Sequence, residues 1–189
     1  MAQNASMAEP GDSRRERRRA AVGTALFALG PVTVAGVLPW VVTRWKVQKP
    51  APGGLPAQLA GALLLGSGTA VVANSFVHFA VEGVGTPAPF APPKHLVVGG
   101  LYRFVRNPMY VAIAAAVTGQ GLLLGQPKLL AAVALGALPV TAFVRFYEEP
   151  ALARKFGAEY QAYGDHVPRW LPRRTPWRPE TPSGTGPAL

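Results

Sequence analysis

The 189-residue chain contains no cysteine. That absence excludes thiolate nucleophiles, disulfides, iron–sulfur clusters and cysteine-based zinc sites. Histidine is nearly as scarce, with three copies at no metal-ligand spacing, so no metal site is expected. Acidic residues are also few: 9 Asp and Glu stand against 19 Lys and Arg, a formal charge of +10. Charged residues make up only 15% of the chain and hydrophobic ones 49%, a balance foreign to an ordinary soluble domain and typical of a membrane protein. A strong positive charge also suits nucleic acid, but its distribution here does not. Five arginines crowd into Arg14–Arg19 directly before an apolar run, and most other cations flank further apolar runs instead of alternating with aromatics. The expected partners are therefore anionic lipid headgroups at the basic N-terminus, with no nucleic acid.

Four stretches lack charge. Ala20–Thr43 exceeds the roughly 20 apolar residues that a helix needs to cross the hydrocarbon, and it is too long for a signal peptide and has no clear cleavage site. It reads as an uncleaved anchor. Leu55–Ala80 is the second run, and its polar members Asn74 and His78 are expected to face protein. Pro108–Pro127 is the third, and Leu129–Val144, bounded by Lys128 and Arg145, the fourth. The connection Gln126-Pro127-Lys128 is short enough to make the last two an antiparallel hairpin. Small residues at helix-packing spacing (Ala62 and Gly66, Ala115 and Gly119, Ala132 and Gly136) are candidates for close helix contact. The fold expected is all-α: a polytopic membrane protein with about four transmembrane helices plus a C-terminal amphipathic helix.

With four spans both ends lie on one side. The N-terminal tail, the 82–107 loop and the segment from Arg145 carry all the Lys and Arg except Arg44, Lys46, Lys49 and Lys128, so the positive-inside rule puts both termini in the cytoplasm of a multi-pass cell-membrane protein. Beyond Glu148-Glu149-Pro150, Leu152, Phe156, Tyr160 and Tyr163 fall on one helical face, which predicts an amphipathic helix over 150–163. The chain thus divides into a disordered basic tail (1–19), two N-terminal spans (20–80), a core (81–172) containing the hairpin 108–147, and a disordered tail (173–189). Its Ala-, Gly-, Pro- and Arg-rich usage suggests a bacterial source.

Polar groups at the ends of consecutive spans are functional candidates. One cluster, Tyr102 to Tyr110, enters the third span; another, Arg145-Phe146-Tyr147-Glu148-Glu149, leaves the fourth. An antiparallel hairpin brings the two to the same end. Taken singly, Arg103 and Arg106 suit snorkelling anchors, Tyr102 and Tyr110 interfacial aromatics, and the glutamates a solvated helix start. An Arg-Asn-Pro turn and a double carboxylate converging on one place exceed what boundary anchoring requires.

These residues carry a resemblance. Lys94-His95-Leu96-Val97, Tyr102, Arg106-Asn107-Pro108-Met109-Tyr110, Glu148-Glu149, Phe156-Gly157, Tyr160, Tyr163 and Val167-Pro168-Arg169 together look like the isoprenylcysteine carboxyl methyltransferase and phospholipid N-methyltransferase superfamily, over about Gly83 to Pro172. Members are integral-membrane enzymes that use S-adenosylmethionine without a Rossmann domain. No Gly-x-Gly-x-x-Gly after a strand occurs here. The resemblance implies that Lys94, His95, Leu96, Val97 and Tyr102 line the cofactor, that Asn107, Pro108, Met109 and Tyr110 form the next wall, and that Glu148 holds a polar part of it with Glu149 in support. Gly83-Val84-Gly85 matches a short element of the phospholipid branch and suits a turn. Many carboxyl methyltransferases have His where this chain has Asn107, which cannot titrate near neutrality and so is no general base. The prenylcysteine enzymes carry an arginine about one turn before the matching glutamate; here the nearest is Arg145, three residues before Glu148, and a grip on a substrate carboxylate is extrapolated to it from the resemblance.

Methyl transfer from a sulfonium needs alignment and exclusion of water. A carboxylate nucleophile requires no base, whereas an amine must first lose a proton. With Arg145 and Tyr110 as the candidate catalytic residues, carboxylate O-methylation of a lipophilic molecule or lipid entering from the bilayer is slightly preferred over amine N-methylation. Two other classes compete: a membrane NADPH-dependent reductase of the sterol type, against which the Asn-Pro-Met-Tyr turn speaks, and a non-enzymatic membrane scaffold.

Overall fold

The computed structural model describes residues 28–48, 53–82, 96 and 98–178, with the side chains of 77–82 excepted. The basic tail therefore lies outside the described residues. Every regular element among the described residues is helical.

Helix α1 spans Ala28–Thr43 and is shaped by a proline. Pro39 lacks the N–H that would meet the carbonyl of Ala35 one turn earlier. The helix opens into a π turn over Thr33–Val37, and the Ala35 carbonyl instead accepts a hydrogen bond from Gln120 Nε2 at 2.7 Å. Beyond Thr43, the backbone N–H of Gln48 donates to Leu124 O, and Gln126 Nε2 donates to Lys46 O at 2.6 Å. Both bonds fasten the end of α1 to the hairpin turn.

Helix α2 (Gly54–Glu82) packs against α3 (Pro108–Leu124) with the backbones in contact. A Cβ on Gly119 would lie 2.5 Å from the amide nitrogen of Leu65 and 2.6 Å from Gly61 O; one on Gly68 would lie 2.5 Å from Ala112 O. Only hydrogen fits at these positions, and the small side chains of Ala112 and Ala116 complete the seam. The expected pairs are corrected here: Gly119 is in the seam, but Gly66 and Gly136 have open space beside them. The run's size does not distinguish one small residue from another; the face turned toward the partner does. Asn74 is likewise exposed, contrary to expectation, while Ser75 is buried and returns its hydroxyl to Val71 O at 2.9 Å.

Helix α3 ends in a Schellman turn: left-handed Gly125 (φ 63°) lets Gln126 N donate to Gly121 O at 2.8 Å and Gly125 N to Leu122 O at 3.3 Å. Pro127 then opens α4, which needs no N–H at its first position. This helix runs from Pro127 to Phe156, through a π turn at Val144–Glu148. The expected separate span Leu129–Val144 and amphipathic helix 150–163 are thus divided differently. Glu149 continues the same helix, and the break falls at Gly157, whose φ of 53° and ψ of −126° suit glycine alone. Helix α5 (Ala158–His166) follows. The bend folds the anticipated apolar face onto itself: Tyr160, Tyr163 and Val167 form a buried cluster with Leu152, Ala153 and Phe156 against it.

Among the described residues, two helices are long and apolar enough to cross a membrane, Gly54–Phe76 and Pro127–Phe156, and Ala28–Thr43 and Pro108–Leu124 are shorter apolar helices. A helix from Pro127 to Phe156 is about 45 Å long against about 30 Å of hydrocarbon, so its last turns stand clear of the apolar layer. The segment from Arg173, expected to be disordered, is ordered through Arg178. Arg173 N donates to Phe104 O and Trp177 N to Arg103 O, both at 2.9 Å, and the Trp177 ring packs on Tyr163. Proline-rich composition marks a chain without periodicity, and such a chain is still fixed when a neighbouring loop supplies its hydrogen bonds.

Candidate active site

Asn107 and Pro108 set the entrance to α3. The backbone before a proline is pushed out of the helical region, and Asn107 sits at φ −121° and ψ 56° as the cap, followed by Pro108 at the first helical position. Asn107, Pro108 and Met109 are buried, and Tyr110 is half-buried on the same first turn. Opposite stands the π turn of α4. Its extra residue shifts the register, so that Val144 is fully buried while Arg145, Phe146 and Tyr147 are exposed and Glu148 and Glu149 turn partly inward.

The hairpin brings the two segments into direct contact. Tyr110 Oη donates to Glu148 Oε2 at 3.1 Å. Trp170 meets the Tyr110 ring edge-on, with centroids 6.3 Å apart and planes at 74°. Tyr102, in the 3₁₀ turn Gly100–Arg103, lies close enough that the Glu148 carboxylate adds to the effect of burial in pushing its phenol up to about 12. Its carbonyl accepts from Tyr163 Oη at 2.8 Å. Burial likewise raises the phenols of Tyr160 and Tyr163, so both stay protonated at neutral pH.

The two adjacent glutamates have opposite surroundings. Glu148 has no cationic partner among the described residues; its hydrogen bond comes from Tyr110. Glu149 is held by two arginines. Arg169 grips it with both arms of its guanidinium, Nε to Oε1 at 2.7 Å and Nη2 to Oε2 at 2.6 Å, and Arg106 Nη1 lies 3.0 Å from Oε1. Such a fork on a mostly buried carboxylate leaves it committed. Arg169 O in turn accepts from Asn107 Nδ2 at 3.2 Å, and Pro168 O from Arg106 N at 2.9 Å. Glu149 is therefore the knot that ties α4, the 106–107 turn and the 167–170 segment together.

Of the residues singled out from sequence, Tyr102, Tyr110 and Glu148 share one site, with Asn107, Pro108 and Met109 behind it. Leu96 packs on the Tyr160, Tyr163 and Val167 cluster. Lys94, His95 and Val97 lie outside the described residues, as does Gly83-Val84-Gly85. Arg145 is exposed and pairs with neither glutamate. Trp170 and the clamping role of Arg169 were not anticipated; an aromatic directly after Val167-Pro168-Arg169 was the available signal.

One end of the helical hairpin thus presents a half-buried carboxylate, two tyrosines and a tryptophan, a polar site at the edge of two apolar helices. The phospholipid methyltransferase family model matches residues 57–159, more than half of the chain, and the chain belongs to that family. It is a methyltransferase, and its family and its two apolar helices agree with a membrane location. Methyltransferases of this family generally use S-adenosylmethionine. No curated protein and no solved structure matches the chain significantly.

The site fits that cofactor. S-adenosylmethionine presents a sulfonium, an ammonium and ribose hydroxyls; the site offers a carboxylate without a cation partner among the described residues and the aromatic rings of Tyr110 and Trp170, which favour a cation. Glu149, expected to share in this, is already neutralised.

Proposed function

We propose that the chain is an integral-membrane methyltransferase that moves the methyl group of S-adenosylmethionine to a lipid at the Tyr110–Glu148 site, with four membrane-crossing helices and both termini cytoplasmic. The observation that carries this reading is the Tyr110–Glu148 hydrogen bond at the open end of the hairpin. In this reading α3, short for a full crossing alone, is held in the bilayer by its packing on α2, and Glu148 lies near the boundary where α4 outgrows the hydrocarbon. Of the three readings open to the sequence, family membership favours the methyltransferase over the reductase and the scaffold.

S-adenosylmethionine, held by Glu148 with Tyr110, would supply an electrophilic methyl group on a sulfonium. The chain's part is to align and to dry the site. Glu148 holds a cationic or hydroxyl portion of the cofactor, oriented by Tyr110, while buried Asn107, Pro108 and Met109 close the back against water.

The surroundings of Glu148 support an amine acceptor over the carboxylate that the sequence slightly prefers. A carboxylate brought beside Glu148 meets like charge, and the arginines able to offset it are spent on Glu149. An amine meets no such repulsion. Arg145, exposed nearby, is the one feature that favours the carboxylate.

Membranes carrying the protein are expected to transfer label from methyl-labelled S-adenosylmethionine into the organic phase of a lipid extract, in a form from which mild alkali releases no volatile methanol. Label released as methanol identifies a methyl ester and restores the carboxylate reading; no label in the lipid phase overturns the assignment. Glu148→Gln is expected to weaken S-adenosylmethionine binding by about tenfold to a hundredfold, the worth of a hydrogen bond to a charged group, without impairing insertion. Equilibrium binding in detergent checks this, and unchanged affinity removes Glu148 from the site. Tyr110→Ala is expected to lower turnover by about tenfold or more through misplacement of the reactants. Full turnover would make Tyr110 an interfacial anchor only.

A further inference from the structure

Leu171 is 80% exposed, more than any other described large hydrophobic residue. It belongs to no helix, so it is not part of the lipid-facing surface that α2 and α4 present. Its neighbours fix it firmly: Trp170 rests against the Tyr110 ring, Arg169 is bound to Glu149, and Arg173 N bonds to Phe104 O. A rigidly held, solvent-facing leucine beside a tryptophan is an amphipathic tip. The charge within the segment has one sign. Arg174 and Arg178 are exposed and have no acidic partner among the described residues, and no Asp or Glu lies between His166 and Arg178.

From this we infer that the 169–178 segment docks on an anionic lipid surface, with Leu171 seated at the headgroup–acyl boundary and Arg174 and Arg178 meeting lipid phosphates. This rests on the membrane reading above. Apolar tips and flanking cations bind such surfaces together, the first by burial and the second by attraction to anionic headgroups. The position of the segment supports a lipid rather than a protein occupant. It packs on the first turn of α3 and on α4 where that helix leaves the apolar layer, which puts Leu171 at the level of the headgroups. The arrangement also joins docking to the site, because Trp170 touches Tyr110 and Arg169 holds Glu149. The match to the family model ends at residue 159, before this segment.

The absence of native cysteine makes the test direct. Leu171→Cys in the full-length protein is labelled with an environment-sensitive dye and placed in lipid nanodiscs, open on both faces, made of phosphatidylcholine with or without phosphatidylglycerol. Leu135→Cys on the exposed face of α4, at a position 72% exposed, serves as the reference for the bilayer interior. The expected result is quenching of the Leu171 probe by a nitroxide near the lipid headgroup and protection from aqueous iodide, both enhanced by phosphatidylglycerol. Arg174→Gln and Arg178→Gln are each expected to shift the seated fraction toward water by about fivefold in phosphatidylglycerol discs. An iodide-accessible Leu171 probe beside a lipid-quenched Leu135 probe overturns the docking alone. If both probes are in water, the membrane reading fails with it. A Leu171 probe shielded from both quenchers points to a protein cover and also overturns the proposal.

Discussion

Gly119→Leu is expected to prevent the protein from reaching its folded state. The first carbon of any side chain at this position falls on the backbone of α2, at 2.5 Å from Leu65 N and 2.6 Å from Gly61 O. No rotamer avoids the clash, since it begins at Cβ, and the helix pair can only separate. Separation forfeits the dispersion contacts that hold helices together in lipid, where no hydrophobic drive replaces them. Overpacking commonly costs about 1–3 kcal/mol where side chains can shift, and backbone against backbone lies at or above the top of that range. Thermal unfolding in detergent checks the effect. Gly66→Leu, facing open space on the partner helix α2, is the control and is expected to melt as the unsubstituted protein does. Equal melting of the two variants would contradict the α2–α3 seam.

Glu149→Ala is expected to lower stability by about 3 kcal/mol, because it leaves Arg106 and Arg169 mostly buried without a counter-charge. Some exposure of Arg169 keeps the cost at the lower end of the range for broken buried pairs. Adding Arg169→Ala to Glu149→Ala is expected to recover part of the loss, since one of the stranded charges goes with it. Melting temperatures of the two single variants and the double variant measure this coupling. Cofactor affinity is expected to fall along with stability, as the 167–170 segment loosens from the site. Unchanged melting with lost cofactor binding would instead put Glu149 in contact with the cofactor.

The meeting of Tyr110 with Glu148 was legible from sequence because it needs only two apolar runs and a short turn between them; antiparallel geometry does the rest. The division of labour between Glu148 and Glu149 was not. It depends on Arg169, 20 residues from Glu149 along the chain, and on which of two adjacent carboxylates a π turn aims at it. An extra residue in a helical turn leaves no mark in composition or periodicity. The helix break at Gly157 escaped for a related reason: Leu152, Phe156, Tyr160 and Tyr163 keep a helical spacing because both segments bury them in one cluster, so the pattern persists across the bend. The packing seam was blurred by abundance. In a chain with 21 glycines, many small pairs have the right spacing, and only the facing of α2 toward α3 selects Gly61, Gly68 and Gly119.

The bond from Gln120 to the Ala35 carbonyl bears on how the chain is made. Pro39 leaves that carbonyl without its usual donor, and the side chain that supplies one lies 85 residues further on. A ribosome delivers the first rod long before Gln120 exists, so for that interval the newborn segment carries an unmet polar group into its surroundings. Final seating of the earliest helix therefore waits for the third, and the order of assembly runs against the order of synthesis.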